Sequence, residues 1–324
     1  MLSRVAVSLY LLGRHLERAE HLARILRVHS ELALDRAVLR DERFWARFLE
    51  LAGWSLADHL SREQAIELAV AGSAGPSVRR EVAEARRAAQ SIRPSLSTEV
   101  YEQLNVLHWR LQDSAGWDSE LYSFLRTVEL GAQLVSGLVD DTMAHDETWH
   151  FVRLGKFLER ASGTTRLVLR KTAELAKFAD DAVDWAAALR CCTSFEPYQQ
   201  RFAAPIDRER VVGYLLFDRV SPRSAAFCLG EALRCVRHVD GGDESEPQRV
   251  LEKMLALFED PPPPGLPPPA GGGAVGGFET RFDELRGELE VALRARYFLP
   301  SRLAVALPGD ELVAHPHQQQ QEGG

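Results

Sequence analysis

Apolar residues recur every three or four positions along the first 26 residues of the chain. In order they are Leu2, Val5, Leu9, Leu12, Leu16, Ala19, Ala23 and Leu26. This spacing follows the 3.6 residues of a helical turn and predicts one long amphipathic helix over about residues 3–36. A second stripe with the same rhythm consists of Phe151, Leu154, Leu158, Ala161, Thr165 and Val168. It predicts a second long helix over about 147–178, and both helices should bury their apolar stripes.

The two stripes also carry the same polar residues. Residues 12–19 read LGRHLERA and residues 154–161 read LGKFLERA, at a constant offset of 142 residues (155 − 13 = 142). A repeat of this kind indicates two copies of one supersecondary unit. A plain apolar stripe has no need of repeated charges, so these charges are the first candidates for function.

Shorter helices are predicted after each long one. Pro76 and Pro222 each stand beside a serine, a pattern typical of a helix start. Few segments alternate in the way strands do. The predicted shorter helices cover about residues 77–92, 97–113, 222–239 and 246–259, with Trp-led segments at Trp45 and Trp185. The predicted fold class is therefore all-α, a helical bundle built from two tandem pseudo-symmetric repeats.

A run of prolines and then glycines interrupts the helical pattern at DPPPPGLPPPAGGGAVGG, residues 260–277. Proline favours extended chain and glycine favours coil. The predicted organisation is a first repeat over 1–140, a second repeat over 141–260, a disordered Pro/Gly-rich loop over 261–277, a helix over 278–299 that completes the bundle, and a disordered tail over 300–324.

Composition narrows the classes of partner. The net charge of −8 argues against nucleic acid and against an anionic membrane surface. No apolar run reaches the roughly 18–20 residues that span a bilayer, and the N-terminus lacks a signal-peptide cleavage site. We therefore expect a cytoplasmic protein. The four cysteines form no C-x-x-C pair, which argues against a zinc or redox motif.

A charged stripe flanks each apolar one. It consists of Gly13, Glu17, Glu20 and Arg24 in the first copy and of Gly155, Glu159, Ser162 and Arg166 in the second. Helical glycine costs about 1 kcal/mol and is tolerated where another backbone must come close. We expect Glu17 and Glu159 to be partly buried and to face arginines. Three interpretations remain open: symmetric ion pairs that lock the long helices together, a groove that binds a ligand, or a solvated face.

Glu147 and His150 form a Glu-x-x-His pair, the spacing that di-iron helical bundles use twice. Only one such pair occurs here, so a mononuclear metal site is the metal-binding alternative. The other interpretation is an acidic helix start, in which Asp140, Asp141, Asp146 and Glu147 face the positive end of the second long helix. The chain contains no G-x-S-x-G, no phosphate-binding loop and no G-x-G-x-x-G.

Several of these blocks, in this order, resemble the bacterial alpha-E family. They are the opening MLSRVAVSLYLLGRHLERAEHLARIL, the block TMAHDETWHFVRLGKFLERA, and the shorter STEVYEQLN and LLFDRVSPRSAAFCL. The resemblance implies an all-helical fold and an association with circularly permuted ATP-grasp ligases and transglutaminase-like peptidases. The residues that match its motifs are Gly13, Arg14, Glu17, Arg18, Glu20, Arg24, Glu147, Trp149, His150, Gly155, Lys156, Glu159, Arg160, Arg166, Asp218, Pro222, Arg223 and Ser224.

From this resemblance we expect a helical subunit that binds an ATP-grasp-type peptide or amide ligase and positions its peptide or amino-acid substrate. ATP and Mg²⁺ would then belong to the partner ligase, and this chain would hold no cofactor or metal of its own. Neither nucleic acid nor membrane is an expected partner. The alternatives are a stand-alone enzyme that uses the paired Glu and Arg residues on a carboxylate or peptide, and a metal-binding bundle centred on Glu147 and His150.

Overall fold

The computed structural model describes residues 3–35, 43–54, 60–113, 120–175, 182–259 and 273–298. Within these ranges the chain is helical and contains no strand, which confirms the predicted all-α class. The remaining residues, which include most of the predicted loop 261–277 and all of the predicted tail 300–324, lie outside the described ranges.

Two long helices form the centre of the bundle, α1 (Ser3–Asp35) and α7 (Glu147–Leu175). They pack against each other along most of their length. The predicted apolar stripes are buried, with Leu9, Leu26 and Leu154 completely inaccessible to solvent. Burial of such a stripe supplies most of the stability of a helix in a protein.

The two helices touch through their glycines in a reciprocal way. A Cβ on Gly13 would lie 1.9 Å from the Val152 carbonyl oxygen, and a Cβ on Gly155 would lie 2.0 Å from the Tyr10 carbonyl oxygen. Each contact maps onto the other when 142 is added to one residue number and subtracted from the other. This is the pattern that a local twofold axis between α1 and α7 produces, and no side chain larger than hydrogen fits at either point.

Shorter helices surround this pair in a similar order after each long helix. After α1 come α2 (Phe44–Leu51), α3 (Arg62–Ala71), α4 (Val78–Ser91), α5 (Thr98–Asp113) and α6 (Leu121–Thr142). After α7 come α8 (Ala182–Cys191), α9 (Phe195–Phe202), α10 (Arg208–Val212), α11 (Ala225–Val239), α12 (Glu246–Ala256) and α13 (Gly273–Tyr297). Helix α4 packs on α1 as α11 packs on α7. Superposition of the two halves as whole repeats stays a prediction.

The structure differs from the sequence analysis in several elements, and α3, α9 and α10 are helices that were not predicted. Helix α6 was not predicted, and its last turn contains Asp140 and Asp141, so these residues end one helix and do not begin the next. Helix α13 begins at Gly273, inside the predicted loop, because a glycine costs an established helix only about 1 kcal/mol. Residues Gly213–Phe217 form a π-helical turn, which was not predicted.

Among the described residues, no helix is both long enough and apolar enough to cross a membrane.

Candidate functional site

The first set of ion pairs joins α1 to α7 through Glu159. Arg18 donates from Nε to Glu159 Oε1 at 2.6 Å and from Nη2 to Oε2 at 2.8 Å. Arg14 adds a hydrogen bond from Nε to Oε2 at 3.1 Å. The three side chains are at most 18% exposed. Such charge-assisted, two-point contacts fix both the distance and the register of the two helices.

The second set is the reciprocal of the first. Arg160 of α7 donates from Nε to Glu17 Oε1 at 2.7 Å and from Nη2 to Glu17 Oε2 at 2.6 Å. Arg160 lies 142 residues after Arg18, and Glu159 lies 142 residues after Glu17. Each long helix therefore provides one glutamate and one arginine to the two ion pairs. The expected burial of Glu17 and Glu159 beside arginines is confirmed. The repeated charges therefore lock the central helices together.

Arg223 brings the segment before α11 into this network. It donates from Nη1 to Glu17 Oε1 at 2.9 Å and from Nη2 to Glu20 Oε1 at 2.5 Å. Asp218 stabilises the turn that leads to Arg223. Its Oδ1 accepts hydrogen bonds from the backbone N–H groups two and three residues later, at 2.8 and 2.6 Å. Thr164 of α7 donates to the Arg223 carbonyl at 3.0 Å. Asp218 is thus a positioning residue for Arg223.

A chain of charges continues from Glu20 to α6. Arg24 donates to Glu20 at 2.5 Å and to Glu129 at 3.4 Å, and Arg27 donates to Glu129 at 2.7 Å. Arg126 adds a contact to Glu129 at 2.8 Å. Glu129 is completely buried and is the main residue that sequence reasoning missed. The available signal was a single acid on the apolar face of an otherwise amphipathic segment.

Burial opposes ionisation of these carboxyl groups, but the arginines outweigh it. Arg160 and Arg223 hold the pKa of Glu17 below its usual value despite burial. Arg223 and Arg24 do the same for the pKa of Glu20, and Arg18 and Arg14 for that of Glu159. These carboxylates therefore stay ionised at neutral pH.

A first cleft lies between α1, α7 and α13 and encloses about 480 Å³, its open mouth included. Apolar side chains of α11 and α12 complete its walls. Its charged lining consists of Arg14, Arg18, Arg166 and Arg286 with Glu159 and Glu290. The lining thus contains four arginines and two glutamates, and acids outside it also pair with Arg18 and Arg286, namely Glu81 and Asp283.

Arg166 is the distinctive residue of the first cleft. Among the described residues it forms no hydrogen bond and no ion pair. Burial lowers its pKa, Glu159 works against this effect, and Arg18 and Arg286 reinforce it. A guanidinium stays protonated in proteins, so this side chain carries a partly buried positive charge without an ion-pair partner among the described residues. The first cleft is therefore suited to an anion.

A second cleft, between α1, α6 and α7, encloses about 410 Å³ with its mouth. Glu17, Glu20 and Asp140 contribute acids to its lining, and Arg153 and Lys156 contribute bases. Lys156 Nζ forms a short hydrogen bond with the hydroxyl of Ser136 on α6. Both predicted glutamates thus serve in an ion pair and also line a cleft, Glu159 in the first and Glu17 in the second.

Glu147, Trp149 and His150 lie at the start of α7, apart from the central ion pairs. Trp149 donates from Nε1 to Asp140 Oδ1 at 3.0 Å, at the edge of the second cleft. The ring of His150 stacks on that of His238 at 3.8 Å between centroids. Burial lowers the pKa of His150 to about 4, and the neighbouring His238 acts in the same direction.

The prediction of an acidic cluster at the start of α7 is correct for Asp146 and wrong for Asp140. Asp146 does begin the helix, because its Oδ1 accepts from the Thr148 backbone N–H at 2.8 Å. Asp140 belongs to α6 and pairs with Arg153 at 2.9 Å. Within the described part of the chain, no group of three or more His, Cys, Asp and Glu side chains gathers in a way that could hold a metal ion.

Curated relatives are similar to this chain over most of its length. The uncharacterized protein Rv2567 of Mycobacterium tuberculosis is 25% identical over 281 residues, which cover 78% of this chain and 31% of the relative. The uncharacterized protein Mb2597 of Mycobacterium bovis matches with the same identity and coverage. The chain thus spans about a third of the length of these relatives. No solved structure matches it.

Residues 1–298 match Alpha-E, a family described as a predicted alpha-helical domain with a conserved ER motif. In this chain two Glu-Arg dipeptides, Glu17-Arg18 and Glu159-Arg160, form the reciprocal ion pairs between α1 and α7. The match covers nearly the whole chain and includes both dipeptides. The chain therefore belongs to the Alpha-E family.

Proposed function

We propose that this chain is the helical partner subunit of an ATP-grasp-type ligase and that its first cleft holds a carboxylate of the ligase's peptide or amino-acid substrate. The observation that carries the proposal is Arg166, a guanidinium that faces the cleft without an acidic partner among the described residues. A carboxylate would supply the missing negative charge, and arginine binds carboxylates through two parallel hydrogen bonds.

The length of the relatives supports the proposal that this helical unit works as one part of a larger protein assembly. The curated relatives are about three times as long as the segment that matches here, so in them this helical unit is joined to additional chain. The resemblance to the alpha-E family suggests that the additional partner is an ATP-grasp ligase. In that arrangement the ligase binds ATP and Mg²⁺, and this chain orients the substrate. Holding two reactants in the correct geometry accelerates a reaction without any nucleophile from the holding subunit.

The ionisation of the central glutamates favours this binding role over a stand-alone enzyme that uses them. Glu17 and Glu159 are each held by two arginines, and their pKa values are lowered. A general acid needs a pKa near the working pH to donate a proton effectively. Carboxylates that are ionised at neutral pH and held by two arginines each are better suited to fixing arginines in place, including those that line the first cleft.

Reconstitution tests the proposal. An ATP-grasp ligase encoded beside this chain would be purified and its ATP consumption and amide formation measured with and without the chain. We expect weak activity alone and at least a tenfold increase with the chain, lost with Arg166→Gln. The matched control is Arg170→Gln, one turn later on α7, where the side chain is 52% exposed. Full ligase activity without the chain, and no complex on size-exclusion chromatography, would contradict the proposal.

A further inference from the structure

The second cleft contains a serine and a lysine in direct contact. Ser136 lies on α6 and Lys156 on α7, and the hydrogen bond between Oγ and Nζ bridges the two helices. Both side chains are part of the cleft wall and neither is fully buried. A small molecule that enters the second cleft therefore meets the hydroxyl and the amine together.

The surroundings of Lys156 are unusual for a lysine inside a protein. Among the described residues Lys156 forms no ion pair, and Ser136 is its hydrogen-bond partner. Burial lowers its pKa to about 8, and Arg160 pushes the pKa in the same direction. The charged groups that face it are Arg160 and Arg153 on α7, Glu17 on α1 and Asp140 on α6. A sizeable fraction of the amine is therefore neutral slightly above neutral pH, and a neutral amine can accept a proton.

We propose that Ser136 is a nucleophile activated by Lys156, and that the second cleft accepts an activated acyl group such as a carboxylic ester. Ser136 Oγ attacks the ester carbonyl carbon while Lys156 Nζ takes the hydroxyl proton. The bond from that carbon to the alcohol oxygen breaks, and the alcohol leaves with the proton from Lys156. The products are an acyl-serine and a free alcohol, with no oxidant or reductant involved. A serine paired with a lysine base is a known variant of nucleophilic catalysis.

The composition of the second cleft suits an acyl chain. Its apolar lining includes Leu12, Leu16 and Val152, which would contact the hydrocarbon part of the substrate. The equivalent position to Lys156 in α1, 142 residues earlier, is Arg14 in the first cleft. A guanidinium does not give up its proton in proteins, so the same chemistry is absent from the first cleft. The proposed chemistry needs only this chain and no ligase partner.

A fluorophosphonate probe tests this proposal on the full chain, followed by peptide mass spectrometry. We expect a covalent adduct on Ser136, with a labelling rate that rises with pH around a midpoint near pH 8, because the neutral amine is the active form. Ser123, an exposed serine earlier on α6, serves as the internal control and should remain unlabelled.

Two variants separate the dyad from a merely reactive surface. Ser136→Ala should abolish the adduct, and Lys156→Arg, which keeps the positive charge, should slow labelling at least tenfold while the melting temperature stays within a few degrees. If Lys156→Arg fails to fold, the wild-type pH profile decides the question. Absence of an adduct on Ser136 between pH 7 and 9, or equal labelling of Ser123, would overturn the proposal.

Discussion

The two clefts flank the same pair of helices and share some equivalent lining positions on them, yet they differ in charge. The first cleft has four arginines and two glutamates in its lining. The second has the acids Glu17, Glu20 and Asp140 against the bases Arg153 and Lys156. On the two central helices the repeat is broken at a few lining positions, among them Ser162, which stands where α1 has Glu20. Further charges come from α13 in the first cleft and from α6 and Arg153 in the second.

One of these positions explains Arg166. In α1, Arg24 has Glu20 four residues before it and pairs with that carboxylate at 2.5 Å. In α7, the residue four positions before Arg166 is Ser162, at the same offset of 142 from Glu20. The loss of one carboxylate leaves the second arginine without a partner among the described residues. Repeated charges thus hold the bundle together, and departures from the repeat create the candidate binding groups.

The largest expected effect comes from breaking the reciprocal ion pairs. Glu17→Gln and Glu159→Gln each remove the closest counter-charge of a buried guanidinium and should cost about 3–5 kcal/mol of unfolding free energy. Urea denaturation followed by circular dichroism measures the loss. Glu246→Gln is the matched control, because Glu246 pairs with Arg249 while 55% exposed, and it should change stability by less than about 1 kcal/mol. Equal effects in all three variants would show that the central pairs are ordinary surface contacts.

Acid should lower the free energy of unfolding, because it protonates carboxylates that line the two clefts. The folded pKa values of Glu17, Glu20 and Glu159 lie below the ordinary value of 4.5. Their contribution is therefore complete above about pH 4.5 and is lost as the pH falls from there toward the folded values. Each carboxylate adds up to about 1.4 kcal/mol per pH unit in that range. Urea midpoints at pH 6, 4 and 3 would show it, and Glu159→Gln should flatten the dependence.

The glycine contacts give the next largest effect. Gly13→Ala and Gly155→Ala place a methyl group against a carbonyl oxygen of the opposite helix, so the helices must separate at a cost of about 1–3 kcal/mol or more. Gly137→Ala in α6 is the control, since no atom lies within 4 Å of its added Cβ. That control should stabilise the protein by up to about 1 kcal/mol. Wild-type stability in the two central variants would contradict the close reciprocal packing.

Sequence reasoning predicted the centre of this molecule better than its periphery. Helices α1 and α7 were predicted because their apolar spacing is regular over many turns and their charges recur. The partners of those charges were predicted only in part. Arg223 reaches Glu17 and Glu20 because a turn around Asp218 aims it there, and no periodicity encodes such a turn. Glu129 is buried against Arg24 and Arg27 of α1, which lie 105 and 102 residues earlier in the chain. Sequence patterns do not predict contacts between such distant elements.

The smallest effect on stability should come from restoring the repeat. Ser162→Glu gives Arg166 the partner that Glu20 gives Arg24, four residues before it on the helix. Such a pair should add about 0.5 kcal/mol or less, measured as a small rise in the urea midpoint. The variant should also fill the first cleft with its own carboxylate. A clear loss of stability would indicate that Arg166 already has a negatively charged partner.

Nuclear magnetic resonance of the arginine side chains can distinguish Arg166, which has no ion-pair partner among the described residues, from the paired Arg24 in solution. The Nε–H signals of Arg24 and Arg166, assigned with Arg24→Lys and Arg166→Lys, would be followed while N-acetylalanine is added as a carboxylate probe. We predict a saturable shift of the Arg166 signal, no comparable shift of the Arg24 signal, and loss of the response in Ser162→Glu. Equal responses from both arginines, or none from Arg166, would contradict this prediction.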